Sequence, residues 1–542
     1  MVPEAAAELA WRGLVVAAIV GSLWALGRLA SVDVGSRLRS RFVLGVPWGT
    51  LVSLSGVLLV YLVVQGGFWH WNRPVVGAFT AVSLFYPTGW FFAGFAHSSP
   101  SHLVNNLTSA LVFAPLAEYV FSHYPRERGS RTFATPWTNP YVRAFVVFPA
   151  GVFAVGLATA LFSWGPVIGF SGVVFAFVGF SLVRYPLLTV VALIARRAIR
   201  VTMEALANPV TVAETVVVVS RPSWYGVAVQ GHALGLFLGV LLGVLVLRRR
   251  GVRPDPLRLW VGSLLIASSL SLWALWWILD AESFVLFRAL GVALVLCVAT
   301  VVTAAVVADD RPGSRISAHQ VAVVVLCLSL VGMGTFSTLL NANVIDPVER
   351  EGVEAGDYLV FYDQGIENRM VNVLPIEGFG LSTNVTTSGV IVASEERQLW
   401  REKVSTRELS TYGEVTFRVG GVGWSEPVTV TREGYDVVGN ETVYQVWIDD
   451  ADGRALAYES APSTADPVVA NHTIGVVSED GEFHAEVDGP DGTDRVPIPK
   501  ENASVSAGGI DLVGDGDRVL AVADGTEVEV VSEERYREPP DQ

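Results

Sequence analysis

Long apolar runs fill residues 1–340 and then stop. Ten of them approach the roughly 20 residues that carry a helix across a bilayer, at about 11–30, 45–67, 101–122, 142–163, 169–184, 186–205, 230–247, 259–279, 284–307 and 319–340. The first run has no basic leader before it and has Arg28, Arg37, Arg39 and Arg41 after it, which predicts a retained span rather than a cleaved signal. From about Asp346 the pattern changes to short alternating or β-branched runs, such as those at 358–362, 414–419, 427–431 and 442–448. Gly-, Asp- and Asn-rich breaks separate them. The pattern therefore predicts a multi-span α-helical membrane protein with a C-terminal β-rich soluble domain, built as one or two sandwich-like units.

Charge divides at the same place. Residues 341–542 hold 40 acidic and 14 basic side chains, net −26, whereas residues 1–340 are net +11 within a chain of net −15. The arginines at 37, 39 and 41, at 126, 128 and 131, at 184, at 248–250 and 253, and at 311 and 315 fall in alternate loops. Those loops are expected on the cytoplasmic side, which puts both termini and the acidic domain outside in a multi-pass cell-membrane protein. One cluster, Arg196, Arg197 and Arg200, falls toward the outer end of the sixth run and does not fit this alternation. An acidic exposed domain is no partner for nucleic acid, and with only two lysines, Lys403 and Lys500, it fits a salt-adapted organism. Four N-x-[ST] acceptors, at Asn384, Asn440, Asn471 and Asn502, agree with outward placement. The two cysteines, Cys297 and Cys327, sit in apolar runs and read as small core residues rather than a disulfide or a metal site.

Polar side chains in a span are costly, so the few that occur mark candidate function. Three helix starts qualify. His102 and Asn106 stand four residues apart on one face of the third run, with Glu118 further along it. Ser171 lies between Gly169 and Gly172 at the start of the fifth, and His232 opens the seventh beside Gly231, Gly235 and Gly239. By the arginine-derived orientation all three begin at the outer face, so these side chains share a depth. Small residues four apart allow close helix contact, which would bring His232 to Ser171. Imidazole can then act as base for the hydroxyl, while His102, Asn106 and the Ser171 N–H suit an oxyanion. With no carboxylate at that depth, a dyad is expected. Singly, each feature has a bland explanation: Gly-flanked Ser is packing material, Asn at a helix start is a cap, and a lone His is structural or part of a proton path. Their coincidence in depth and order is what favours chemistry.

Together, His97, His102 and Asn106, then Gly169-Phe170-Ser171-Gly172, then Gly231-His232-Ala233-Leu234-Gly235, resemble the rhomboid family of intramembrane serine proteases. The resemblance covers about residues 45–250. It implies a six-helix protease core there; outside that stretch the resemblance is silent, and the apolar pattern predicts an extra span and cytoplasmic loop (1–44), three additional spans (251–342) and the acidic β-rich domain (343–542). The resemblance further implies Ser171 as nucleophile, His232 as base, His102 and Asn106 at the oxyanion, and Glu118 holding the long outer loop to its helix. The substrates implied are transmembrane proteins, cut in or near the bilayer without metal or organic cofactor. Two rival readings are a catalytically silent rhomboid-like protein that escorts clients, and a transporter or channel. The polar stretch 208–224 is expected to shape substrate access.

Overall fold

A computed structural model describes residues 4–29, 34–124, 130–210, 222, 224, 227–278, 283–308, 317–342, 344–346, 348–370, 377–378, 381–382 and 384–538. Arg126, Arg128, Arg311, Arg315 and most of the 208–224 stretch lie outside the described residues. The chain divides into two compact units, a helical one through residue 344 and a β-rich one from residue 345.

In chain order the helices are α1 (Glu4–Leu29), α2 (Val34–Arg41), α3 (Trp48–Leu59), α4 (Pro87–Ala93), α5 (Pro100–Phe121), α6 (Pro140–Val142), α7 (Phe148–Leu161), α8 (Ser171–Arg184), α9 (Pro186–Ala207), α10 (Val229–Arg249), α11 (Pro256–Ser269), α12 (Arg288–Val307), α13 (Ala318–Asn341) and, in the β-rich unit, α14 (Thr406–Tyr412). A π-helical turn, Val60–Val64, prolongs α3, and another, Arg143–Val147, joins α6 to α7. Among the described residues five helices are long and apolar enough to cross a membrane by length and composition: Ala7–Leu29, Pro140–Leu161, Val229–Arg249, Arg288–Val307 and Ala318–Asn341. Trp48–Val64 and Ser171–Arg184 are shorter apolar helices. Between Gly13 and Gly27 α1 carries no charged residue, and its described side chains are largely exposed, the pattern of a helix that faces lipid.

α8 lies at the centre. Eleven of its 14 residues are buried, and it meets α10 along a seam of small residues. A methyl group on Gly235 would stand 2.1 Å from the Gly172 carbonyl oxygen, and one on Gly239 would stand 2.1 Å from that of Ala176. No side chain fits at either point, so glycine sets the distance between the two helices. One hydrophobic cluster runs from Leu54, Leu103 and Phe148 through Val178 and Val240 to Leu259, Val302 and Leu326. α11, α12 and α13 therefore pack into the same core as the preceding helices.

Two expectations from the apolar pattern are corrected. The run at 259–279 is not one helix: α11 ends at Ser269, Ser271 takes a left-handed φ of 59°, and Trp276–Ile278 pairs antiparallel with Phe284–Leu286. An apolar, Trp-rich run satisfies a membrane helix and a half-buried strand pair equally, and periodicity does not separate them. Cys297 and Cys327 are free thiols as expected, but both are exposed on the surfaces of their helices. In a chain that faces lipid, an apolar neighbourhood does not imply burial.

The β-rich unit holds an eight-stranded sheet. Its order is 454–459, 443–449, 424–437, 526–533, 518–523, 510–515 and 504–507, with 414–421 also paired to 424–437. A second, four-stranded sheet, 463–464, 473–479, 482–489 and 492–497, shares a core with it through Val437, Val443, Ile474, Val476, Leu512 and Val530. A third sheet, 353–355, 358–367, 386–394 and 399–405, packs around Phe361, Ile391 and Trp400. Each strand run read from the sequence lies in a strand. Asn384, Asn440, Asn471 and Asn502 are all exposed.

Candidate active site

Ser171 is the first residue of α8 and His232 the fourth of α10. The glycine seam brings their side chains together: His232 Nε2 lies 2.9 Å from Ser171 Oγ. The Nδ1 atom of the same ring is buried and has no hydrogen-bond partner. What holds the imidazole is a face. Phe175, one turn after Ser171 on α8, stacks on it with centroids 4.2 Å apart and planes 9° from parallel. With Nε2 accepting from the hydroxyl, Nδ1 carries the proton of the neutral ring. The imidazole is then poised to take the Ser171 proton without a carboxylate behind it.

His102 and Asn106 face the same place. Ser99 caps α5, its hydroxyl accepting from the His102 amide at 3.2 Å, and Pro100 fills the first helical position, where no N–H is needed. His102 Nδ1 receives the Ser98 backbone N–H at 3.5 Å and stands 3.0 Å from the Ser98 hydroxyl. Nδ1 is thus the acceptor and Nε2 carries the hydrogen. That edge points at Gly169, where φ is +122° and a methyl group would meet His102 Nε2 at 2.7 Å and Asn106 Nδ2 at 3.5 Å. Asn106 is buried, and its Nδ2 has no partner. The backbone N–H of Ser171 belongs to the first turn of α8, whose amides have no acceptor within the helix. Three donors therefore converge beside one hydroxyl. Ser171, His232, His102 and Asn106 all line one cavity of about 340 Å³.

The loops are fixed by groups that carried no sequence signal. Gln65 is buried at the end of the π-turn after α3; its amide donates to the carbonyls of Val75 and His97 and accepts from the His97 N–H, all at 2.8 Å. It closes the long 66–99 loop behind the site. His97 is fully buried and packs edge-on against His102 with centroids 5.0 Å apart. The segment ahead of Ser171 is held by Gly169 N–H to Ala93 O at 2.8 Å and by the paired amides of Ala81 and Val167. α13 reaches it too: Asn341 donates to the Ser163 carbonyl at 2.7 Å, and Gln230, two residues before His232, bonds to Phe162 O and the Ser337 hydroxyl. Gly231 has no room for a side chain, since a methyl group would lie 2.6 Å from Ser163 Oγ; Gly172 is closed in the same way by Thr159.

Glu118 is a correction. It lies near the far end of α5 from His102 and does not touch the 66–99 loop. Instead it accepts from the N–H groups of Gly49 and Thr50 at 2.8 Å, from the Thr50 hydroxyl at 2.7 Å and from His123 Nε2 at 2.5 Å. Pro47 caps α3 without a side-chain hydrogen bond, so Glu118 supplies the anion that the start of α3 lacks. Sixteen residues of helix separate Glu118 from His102, about 24 Å, which is why one carboxylate cannot serve both ends.

Residues 85–249 match the family model of the Rhomboid domain. All the residues that line the cavity fall within this match except Leu270, which follows α11. The Rhomboid-domain match and the apolar helices together support a multi-pass membrane protein. No curated protein and no solved structure matches the chain.

Proposed function

We propose that this protein is an intramembrane serine endopeptidase in which Ser171 attacks a peptide carbonyl of a membrane-protein substrate and His232 takes its proton. The observation that carries this reading is the 2.9 Å contact between Ser171 Oγ and His232 Nε2, in a cavity shared with an unpartnered Asn106 amide. Attack puts negative charge on the carbonyl oxygen, and His102 Nε2–H, Asn106 Nδ2–H and the Ser171 N–H are donors for it. Such preorganised donors act most strongly where water is excluded. His232 then returns the proton to the leaving amine, and water, activated by the same imidazole, releases the acyl group from Ser171. Lacking an orienting carboxylate, the dyad relies on Phe175 to keep the ring in place. No step calls for a metal or cofactor.

The arginine pattern puts the cavity mouth toward the outer face, so cleavage falls near the outer leaflet and the β-rich unit lies outside the cytoplasm. Its acidic surface suits a salt-rich medium. The test is a reporter single-span protein co-reconstituted with the enzyme in vesicles: wild type releases a fragment and Ser171→Ala does not. Equal cleavage by both would remove the mechanism; a fold intact but inert in both would favour a silent, client-binding protein.

A further inference from the structure

The cationic side chain Arg196 has no part in the chemistry above, yet it lines the same cavity as Ser171 and His232. It stands midway along α9. Leu187, Leu188, Val191 and Ile194 of that helix are exposed, while Arg196 turns inward and donates to Ser109 Oγ of α5 at 2.9 Å. Ser109 spends its own hydrogen on the Asn105 carbonyl. Among the described residues, one neutral oxygen thus serves a guanidinium that carries five N–H donors. Among the described residues no carboxylate pairs with Arg196, Glu204 being taken by Arg200, and no Asp or Glu lines the cavity.

We propose that Arg196 is a specificity determinant that binds the carboxylate of an Asp or Glu side chain in the substrate, next to the scissile bond. This rests on the peptidase reading and refines it. Ser109 follows Asn106 by three residues on α5, so the oxygen that holds the guanidinium sits about 4.5 Å further along that helix than the Asn106 position. An extended substrate rises about 3.3 Å per residue, which puts the acidic side chain within one or two residues of the bond that is cut. A guanidinium fork matches a carboxylate with two parallel hydrogen bonds, and the absence of competing acids leaves its field in the cavity uncancelled. A lipid phosphate would meet the same cation, but it would have to occupy the space beside Ser171.

Binding can be measured without hydrolysis. Fluorescent single-span peptides, identical except for Asp or Asn stepped through the segment around the cut, are titrated into the full-length Ser171→Ala protein in neutral detergent. At one or two adjacent positions the Asp peptide is expected to bind about ten-fold more tightly than its Asn twin. The ratio should fall to near one in a Ser171→Ala, Arg196→Gln protein and favour an Arg peptide in the Arg196→Glu version, with matching thermal stability as the folding control. A ratio of one at every position, or an Asp preference that survives Arg196→Gln, overturns the proposal. Arg196-dependent binding of phosphatidylglycerol without any Asp preference would overturn it in favour of a lipid headgroup. If wild type cleaves none of the peptides, the peptidase reading fails by a separate measurement.

Discussion

The two ends of α5 carry polar groups of the same kind and treat them in opposite ways. At the Glu118 end every donor within reach has found its acceptor: two backbone amides, a hydroxyl and an imidazole converge on one buried carboxylate. At the His102 end Asn106 Nδ2 and His232 Nδ1 are buried without a partner. A buried donor left unmet costs about 1–3 kcal/mol. A fold keeps such groups only where something else is gained, and Asn106 and His232 line the cavity that holds Ser171. The saturated end stabilises; under the peptidase proposal, the unsaturated end is the one that receives a substrate oxygen.

Substitutions at the two ends should therefore separate stability from turnover. Replacing Ser171 by Ala is expected to lower cleavage of a membrane reporter by at least about 10⁴-fold. Its melting temperature should stay unchanged, and adding His232→Ala should cost little more, because the pair acts as a unit. Asn106→Ala should lower kcat by about 10²–10³-fold, the usual loss for one oxyanion donor, with no loss of stability because the amide has no native partner to lose. Glu118→Ala should do the reverse. It strands several buried donors and should destabilise the helical unit by at least about 3 kcal/mol, read by unfolding in mixed micelles, while the surviving folded fraction keeps kcat within a few-fold. Phe175→Leu should give the smallest change, about ten-fold in kcat, by freeing the imidazole from a stack worth roughly 1 kcal/mol.

How far the sequence foretold this depends on contrast. Ser171, His232, His102 and Asn106 stood out because each is polar in an apolar run and flanked by small residues, and the glycine spacing signalled the α8–α10 seam. Phe175 offered no contrast: a phenylalanine in a span looks the same whether it faces lipid or a catalytic ring. Gln65 sat at the end of a run, where a polar residue is ordinary. Arg196 was visible as a misfit to the charge alternation, but only the fold turns it inward to Ser109. Glu118 was legible as important and misplaced in role, since sequence gives the residue and not which helix start lies opposite it. The Trp-rich stretch after α11 was read as helix because length and hydropathy fit both outcomes. In the β-rich unit, alternation marked the strands; pairing order, set by contacts distant in sequence, could not be read.

The most direct test is covalent. Full-length protein is treated with a fluorophosphonate probe in detergent, digested, and the modified residue located by mass spectrometry. An adduct on Ser171 that disappears in the His232→Ala protein is the expected result, since the hydroxyl reacts only when the imidazole takes its proton. An unmodified Ser171 in folded wild-type protein, or equal labelling with and without His232, would contradict the assignment of this pair as nucleophile and base.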